Sequence, residues 1–130
     1  MQVAALDHLV LTVANLEQTV DFYQSVLGME KVTFTGADGA ERVALKFGSQ
    51  KINLHPISAP LQPHAKAPTG GSADLCFLTE QSIPNWQKHL THLGVEVEIG
   101  PVPRTGAEFL LLSLYIRDPD GNLIEIATQN

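Results

Sequence analysis

The sequence of 130 residues has a single cysteine, Cys76, and no apolar run long enough to cross a bilayer. One cysteine excludes a disulfide within the chain, which fits a reducing, cytoplasmic location. A membrane-spanning helix needs about 20 predominantly apolar residues, so no membrane span is expected. The N-terminus also lacks the charged and apolar regions of a secretory signal peptide.

Basic residues are scarce as well. Eight lysines and arginines stand against fourteen aspartates and glutamates, which gives a net charge of −6. A chain with this balance and no basic cluster is poorly suited to bind nucleic acid or anionic membranes. The phosphate-binding loop, the dinucleotide-binding glycine motif, the serine-hydrolase elbow and the zinc-finger spacings are also absent. The expected partner is therefore a small molecule.

An internal repeat is the strongest feature that is present. The strand-like stretch 6–13 is echoed 66 positions later at 73–79, and the pair Leu27-Gly28 is echoed at Leu93-Gly94. Repeats of this kind indicate a fold built from two related units. The same spacing makes His8 and Asp74 equivalent positions.

The first half of the chain predicts a βαβββ module over about residues 5–55. Asn15 is a typical helix N-cap, and Gly28 is a typical residue at a helix end. The turn signal at 36–39 predicts a hairpin. The predicted strands are 6–13, 29–35, 41–47 and 51–55. Prolines and glycines then mark residues 56–71 as a connector.

The second half, over residues 72–128, predicts the same order of elements. Ser82 is a typical N-cap and Gly94 ends the helix. The predicted strands are 73–79, 95–99, 108–117 and 123–128. Residues 101–106 form a predicted loop that carries Arg104. The sequence thus predicts an α+β fold of two βαβββ modules.

Polar residues on the repeated strands form a candidate metal site. When residues 51–55 are aligned on 123–127, Asn53 matches Glu125, and the side chain of His55 lies on the same strand face as Asn53. Four strands then place polar groups toward one groove. These groups are His8, either Asn53 or His55, Asp74, and Glu125. Imidazole and carboxylate together suit a divalent first-row metal, namely Mn, Fe, Co, Ni or Zn.

Each of these residues also has a plainer interpretation. His8 is also typical of a strand-end histidine bonded to a loop, His55 of an exposed histidine before a proline, and Asp74 of a residue that flanks a turn. Glu125 alternates with isoleucines and is also typical of a solvated sheet face, although its burial without a partner would be costly. Arg104 is either an anion clamp or an ordinary surface arginine. Cys76 lies in an apolar run, which favours a buried, unreactive thiol.

Three segments carry a family resemblance. Residues 7–9, 22–29 and 118–125 resemble the vicinal oxygen chelate superfamily, which includes glyoxalase I, bleomycin-resistance proteins and extradiol dioxygenases. Residues 51–55 and 100–107 look most like the glyoxalase-domain-containing protein 5 group and related bacterial proteins. The resemblance implies paired modules that form an incomplete barrel around a divalent metal, in a homodimer.

The resemblance implies that His8 and Glu125 are metal ligands, but three positions depart from glyoxalase I. Asn53 replaces a carboxylate, Asp74 replaces a histidine or glutamate, and Thr12 replaces an arginine that grips glutathione. These departures argue against lactoylglutathione lyase activity, and Asp74 argues against the extradiol reaction. His55 offers a replacement imidazole.

The resulting prediction is a divalent-metal-dependent lyase or isomerase of glyoxalase type. The predicted metal ligands are His8, His55, Asp74 and Glu125. Glu125 and Asp74 are the predicted catalytic residues, and Arg104 is the predicted substrate-binding residue. Two alternatives stay open: a non-catalytic protein that binds a small molecule, and an Fe(II) ring-cleaving dioxygenase.

Overall fold

A computed structural model describes residues 1–130 and divides them into two compact units. The first unit is Met1–Gly71 and the second unit is Ser72–Asn130. Each unit has the order βαβββ, as predicted from the repeat. The α+β fold class of two similar modules is thereby confirmed.

The first unit contains one helix and one open sheet. Its elements are β1 His8–Val13, α1 Leu16–Leu27, β2 Glu30–Thr35, β3 Glu41–Phe47 and β4 Gln50–Pro56. The strand order is β1-β4-β3-β2, with β1 parallel to β4 and the other pairs antiparallel. Leu45, Ile52 and Leu54 are buried, and each such side chain contributes about 1.5–3 kcal/mol through burial.

The second unit repeats this arrangement. Its elements are β5 Asp74–Leu78, α2 Ile83–His92, β6 Ile99–Thr105, β7 Leu110–Arg117 and β8 Leu123–Gln129. The strand order is β5-β8-β7-β6, again with one parallel pair. The register repeats too, because His8 pairs with Lys51 in the first unit and Asp74 pairs with Leu123 in the second.

The helix ends follow the capping rules read from the sequence. The Asn15 side chain accepts a hydrogen bond from the Gln18 backbone N–H at 2.9 Å, and Ser82 caps α2 in the same way. Gly28 has φ +68°, a left-handed conformation that ends α1 without the steric cost of a Cβ. Neither helix is long and apolar enough to cross a membrane.

The prediction of a strand at 95–99 and a loop at 101–106 was wrong. The structure has one strand, β6, over Ile99–Thr105. Pro101 and Pro103 are tolerated there because β6 lies at the edge of its sheet, where a strand has one side without a pairing partner. A register irregularity between Ile99 and Val102 accompanies them. Arg104 therefore lies on a strand, paired with Leu111, and not in a loop.

The turn before β8 ties that hairpin to β5. Asp118 accepts hydrogen bonds from the backbone N–H and the side-chain amide of Asn122. The Asn122 oxygen accepts in turn from the Ala73 backbone N–H at 2.9 Å. Gln50 holds the corresponding place in the first unit, where its side chain donates to the Leu6 carbonyl at 2.7 Å. Both hairpins are thus fastened to the start of the neighbouring parallel strand.

Candidate functional site

The first unit has a cavity of about 250 Å³ on the face of its sheet that carries His8, Asn53 and His55. Alternation along β4 explains this placement. Ile52 and Leu54 are buried in the core, so the residues between and after them point to the other face. The complete lining is His8, Val10, Phe34, Gly36, Ala37, Arg42, Val43, Asn53, Leu54, His55, Gln62 and Pro63.

His8 has one imidazole nitrogen engaged and one available. Its Nδ1 lies 2.8 Å from Asp7 Oδ2, and about half of the His8 side chain is exposed. A carboxylate that accepts from Nδ1–H leaves the lone pair of a neutral imidazole on Nε2. Metal-binding histidines usually have such a second partner. His8 is therefore prepared to act as a ligand through Nε2.

Three buried polar atoms of this cavity have no hydrogen-bond partner. They are Arg42 Nη1, Asn53 Oδ1 and His55 Nδ1. Buried polar atoms are nearly always paired, and an unpaired one costs about 1–3 kcal/mol. Three in one small cavity indicate that the cavity is shaped for a bound polar group.

Arg42 is fixed by the hairpin that precedes β3. Its Nη2 donates to Asp38 Oδ2 at 3.0 Å, and Asp38 also accepts from the Ala40 backbone N–H. The guanidinium lies against Gly36, where an added Cβ would sit 2.5 Å from Arg42 Nε. Only glycine at position 36 leaves room for this side-chain placement.

His55 is neutral at physiological pH. Burial lowers the pKa of its imidazole, and electrostatic interactions with Arg42 and His64 lower it further. The residue is only 8% exposed. Its unpartnered Nδ1 is therefore a neutral donor or acceptor, not a charged group.

The second unit has its own cavity of about 380 Å³. It contains Glu125 and Arg104, two of the residues predicted to form the site. Its complete lining is Cys76, Leu78, Arg104, Thr105, Gly106, Ala107, Leu111 and Glu125.

Glu125 is held by protein donors. Ser113 Oγ donates to Glu125 Oε1 at 2.6 Å, and Cys76, which is opposite Glu125 on β5, also bonds to this carboxylate. Desolvation and the negative charge of Glu125 raise the pKa of the Cys76 thiol to about 11. The thiol is therefore protonated and unreactive, as predicted. The prediction that it is buried was wrong, because Cys76 lies on the cavity face of β5 and is exposed.

Arg104 and Asp74 have different surroundings. Arg104 Nε donates to the Tyr115 hydroxyl at 2.9 Å, and Nη1 donates to the Pro103 carbonyl. Arg104 is thus an exposed arginine of the cavity wall. Asp74 is exposed at the first position of β5 and belongs to the lining of neither cavity.

The predicted ligands thus fall into separate groups. His8 and His55 share the first cavity, and Glu125 lies in the second. Within either cavity, no group of three or more histidine, cysteine, aspartate or glutamate side chains comes together. The metal-binding and catalytic roles stay predictions.

Sequence reasoning missed Arg42 and Ser113. Ser113 interrupts the leucines of β7, and a polar residue in an apolar stretch was the available signal there. Arg42 follows Glu41 at the start of β3, so its neighbours in the chain gave no such signal.

Comparisons with known proteins agree with the fold. A family model described as the Glyoxalase/Bleomycin resistance protein/Dioxygenase superfamily matches residues 5–126. The chain is 50% identical over 128 residues to the glyoxalase domain-containing protein RDO1 of Mycosarcoma maydis, which covers 98% of this chain and 70% of that protein.

Two solved structures are similar along the whole chain. The virulence protein STM3117 from Salmonella typhimurium is 48% identical, with a TM-score of 0.93 and complete coverage of both chains. A lactoylglutathione lyase from Agrobacterium tumefaciens is 25% identical, with a TM-score of 0.72, over 98% of this chain and 95% of that one.

Proposed function

The chain belongs to the Glyoxalase/Bleomycin resistance protein/Dioxygenase superfamily, and from this membership we propose that it is a divalent-metal-dependent lyase or isomerase of glyoxalase type. Its substrate is a small molecule that offers two oxygen atoms to the metal. One observation carries the proposal. The imidazole of His8, which is oriented by Asp7, and the unpartnered buried oxygen of Asn53 line the same cavity.

The strand register favours Asn53 over His55 as the partner of His8. His8 is opposite Lys51, so Asn53 is two residues further along β4 and His55 is four residues further. With strands about 4.8 Å apart and a rise of about 3.3 Å per residue, the Cα separations from His8 are about 8 Å and about 14 Å. The longer separation is too great for two imidazoles to reach one ion comfortably. We therefore assign Asn53 Oδ1 to the cation, in place of the originally predicted His55.

Glu125 and Asp74 complete the proposed set. An imidazole nitrogen, an amide oxygen and carboxylate oxygens together suit Mn, Fe, Co, Ni or Zn. When bound, the cation stabilises negative charge that develops on substrate oxygens. Glu125 is also proposed as a metal ligand, with Asp74 or solvent as a further one.

Glu125 is also the proposed base. The hydrogen bond from Ser113 to Oε1 fixes the orientation of the carboxylate, and a positioned carboxylate can accept a proton from a substrate carbon and return it. Asp74 is the proposed second proton carrier. Arg104 is proposed to attract an anionic part of the substrate, because its charge is exposed at the wall of the second cavity.

Metal content tests this assignment. The purified protein, His8→Ala and Glu125→Gln are compared by inductively coupled plasma mass spectrometry after equal exposure to each metal. Both variants are expected to retain far less metal than the unmodified protein. His92→Ala is the matched control, because His92 is an exposed histidine in the last turn of α2. Unchanged metal content in both site variants would remove the proposal.

A second measurement separates the open alternatives. A lyase or isomerase consumes no oxygen, so oxygen uptake with catechols and the Fe(II)-loaded protein is expected to be zero. Uptake that depends on His8 would favour a ring-cleaving dioxygenase. Ligand binding of equal strength with and without metal, together with no turnover, would favour a non-catalytic binding protein.

A further inference from the structure

The first cavity holds two unpartnered nitrogen atoms that the proposed metal site does not use. Arg42 Nη1 and His55 Nδ1 are both buried without a hydrogen-bond partner, and both residues line the cavity. Val43 and Leu54 are paired on the antiparallel strands β3 and β4, and Arg42 directly precedes Val43 while His55 directly follows Leu54, so the two residues lie next to this pair at the same end of the ladder. Their side chains therefore belong to neighbouring places on one face of the sheet.

One acceptor satisfies both nitrogens when the neutral His55 imidazole carries its proton on Nδ1. The guanidinium of Arg42 carries only donors, and a neutral imidazole with its proton on Nδ1 donates from that atom. A single oxygen-rich group can pair with both nitrogens at once. The ligand must be small, because a cavity of about 250 Å³ is below the usual range of about 300–1,000 Å³ for ligand pockets.

The charge balance favours a monoanion. Asp38 is 3.0 Å from Arg42 and already offsets part of its positive charge, while Val10, Phe34 and Val43 make much of the remaining wall apolar. A phosphate dianion would bring more negative charge than this wall neutralises. A carboxylate brings one charge and two oxygens, which matches the two unpartnered donors.

We propose that Arg42 and His55 bind the carboxylate of a small organic acid in the first cavity. Asn53 and His55 are two residues apart on β4, which places them about 7 Å apart along the strand. A fitting substrate therefore carries its metal-binding oxygens at one end and its carboxylate at the other. The carboxylate site depends only on the first cavity, whereas the identification of the acid as the substrate rests on the proposed function.

Gly36 is a positioning residue for this site. A Cβ at position 36 would lie 2.5 Å from Arg42 Nε and 3.1 Å from Arg42 Cζ, so the guanidinium would have to move. Gly36 has no positive φ, so alanine there acts through this contact and not through backbone strain. Gly36→Ala thus displaces Arg42 while leaving its charge in place.

The test uses the full chain after metal removal with a chelator, so that it does not depend on the metal site. Acetate is titrated into ¹⁵N-labelled protein, and the imidazole resonances of His55 are followed by long-range ¹H–¹⁵N spectra, assigned with His55→Gln. Inorganic phosphate is titrated in a parallel arm at constant ionic strength. Arg42→Gln and Gly36→Ala are compared with Arg117→Gln, an arginine control whose side chain forms an exposed ion pair with Glu98.

Acetate is expected to shift the His55 resonances saturably and to bind more tightly than phosphate. Arg42→Gln should weaken acetate binding by about tenfold or more, as expected for loss of a hydrogen bond to a charged group. Gly36→Ala should weaken it too, and Arg117→Gln should leave it unchanged. Equal affinity in Arg42→Gln, or His55 resonances that ignore acetate, would overturn the proposal. Tighter binding of phosphate would overturn the assignment to a carboxylate.

The outcome is separable from that of the proposed function. Failure of acetate binding with normal metal retention would remove only the carboxylate site. If acetate binds as expected but His8→Ala and Glu125→Gln retain as much metal as the unmodified protein, only the proposed metal-dependent reaction is removed. If Arg42→Gln proves too unstable to measure, Gly36→Ala carries the same prediction, because it displaces the guanidinium and keeps the His55 resonances observable.

Discussion

In the second unit the cavity carboxylate, Glu125, is hydrogen-bonded by Ser113 and Cys76, whereas in the first unit Arg42, Asn53 and His55 each keep a buried atom without a partner. The strand order is the same in both sheets, and the parallel pairs β1–β4 and β5–β8 share one register, whereas β6 carries an irregularity that β2 lacks. The side chains on the cavity faces differ in their hydrogen bonding. The second cavity presents a carboxylate oriented by its donors, and the first cavity keeps the polar atoms that our proposal pairs with a ligand.

The physical consequence concerns stability as well as binding. Unsatisfied buried polar atoms destabilise a folded protein, and binding sites commonly retain such a cost because the ligand removes it. The two units should therefore respond differently to equivalent substitutions. Four measurements examine this, taken in order of the expected effect on folding stability.

The largest effect is expected at the side-chain hydrogen bonds that tie each hairpin to the neighbouring parallel strand. Asn122→Ala removes two side-chain hydrogen bonds, a part-buried one from the Ala73 N–H and a buried one to Asp118. We expect a loss of about 2–4 kcal/mol in the free energy of unfolding, measured by urea denaturation. Gln50→Ala, the matched change in the first unit, should cost less than about 1 kcal/mol because its hydrogen bond is exposed. Equal costs would contradict the distinction.

Substitutions on the two cavity faces are expected to change the free energy of unfolding in opposite directions. Asn53→Leu removes an unpartnered buried oxygen, so it should stabilise the metal-free protein by about 1 kcal/mol. Ser113→Ala removes a donor from Glu125 and should destabilise by about 1 kcal/mol. Both changes are measured by the same denaturation experiment. If both variants were destabilised by a similar amount, the Asn53 side-chain oxygen would have to be hydrogen-bonded in the metal-free protein, which would contradict this prediction.

Acid should weaken the first unit through His55. Because the folded-state pKa of His55 is lowered, the unfolded chain binds a proton on this residue at a higher pH than the folded protein does. The free energy of unfolding should therefore fall as pH falls below about 6.5, the ordinary pKa of histidine. Denaturation midpoints from pH 7.5 to 5 should drop less in His55→Gln. Identical slopes would exclude His55 as a source of the acid sensitivity.

The smallest effect on folding is expected at Cys76, where reactivity is the useful readout. Its pKa of about 11 predicts slow alkylation by iodoacetamide at pH 8, although the residue is exposed. Removal of the neighbouring charge in Glu125→Gln should lower this pKa and accelerate alkylation. The denatured protein provides the reference rate. A rate in the folded protein that matches this reference would show that Glu125 does not suppress the thiolate.

Much of the local structure was predictable because it depends on neighbours in the chain. Asn15 caps α1 through a residue three positions away, and Gly28 ends the helix through its own backbone freedom. The prolines of β6 misled the sequence interpretation. Proline usually ends a strand, and only the position of β6 at a sheet edge makes Pro101 and Pro103 acceptable.

The candidate site was predictable only in part. Repetition at fixed spacing placed His8 and Asn53 on one sheet face of the first unit and Glu125 at the matching position of the second sheet, because alternation along strands is a local property. The unpaired nitrogen of Arg42 was not predictable, since it depends on the ion pair with Asp38, on the missing side chain of Gly36 and on the fold that buries Nη1.

The sequence by itself determined the duplicated βαβββ order, the helix ends and the faces on which the polar residues lie, because short-range periodicity and capping encode these features. Only the tertiary structure decided which polar atoms have partners. Hydrogen bonds such as the one from Ser113 to Glu125, and the absence of any for His55 Nδ1, depend on strands brought together across distant parts of the chain.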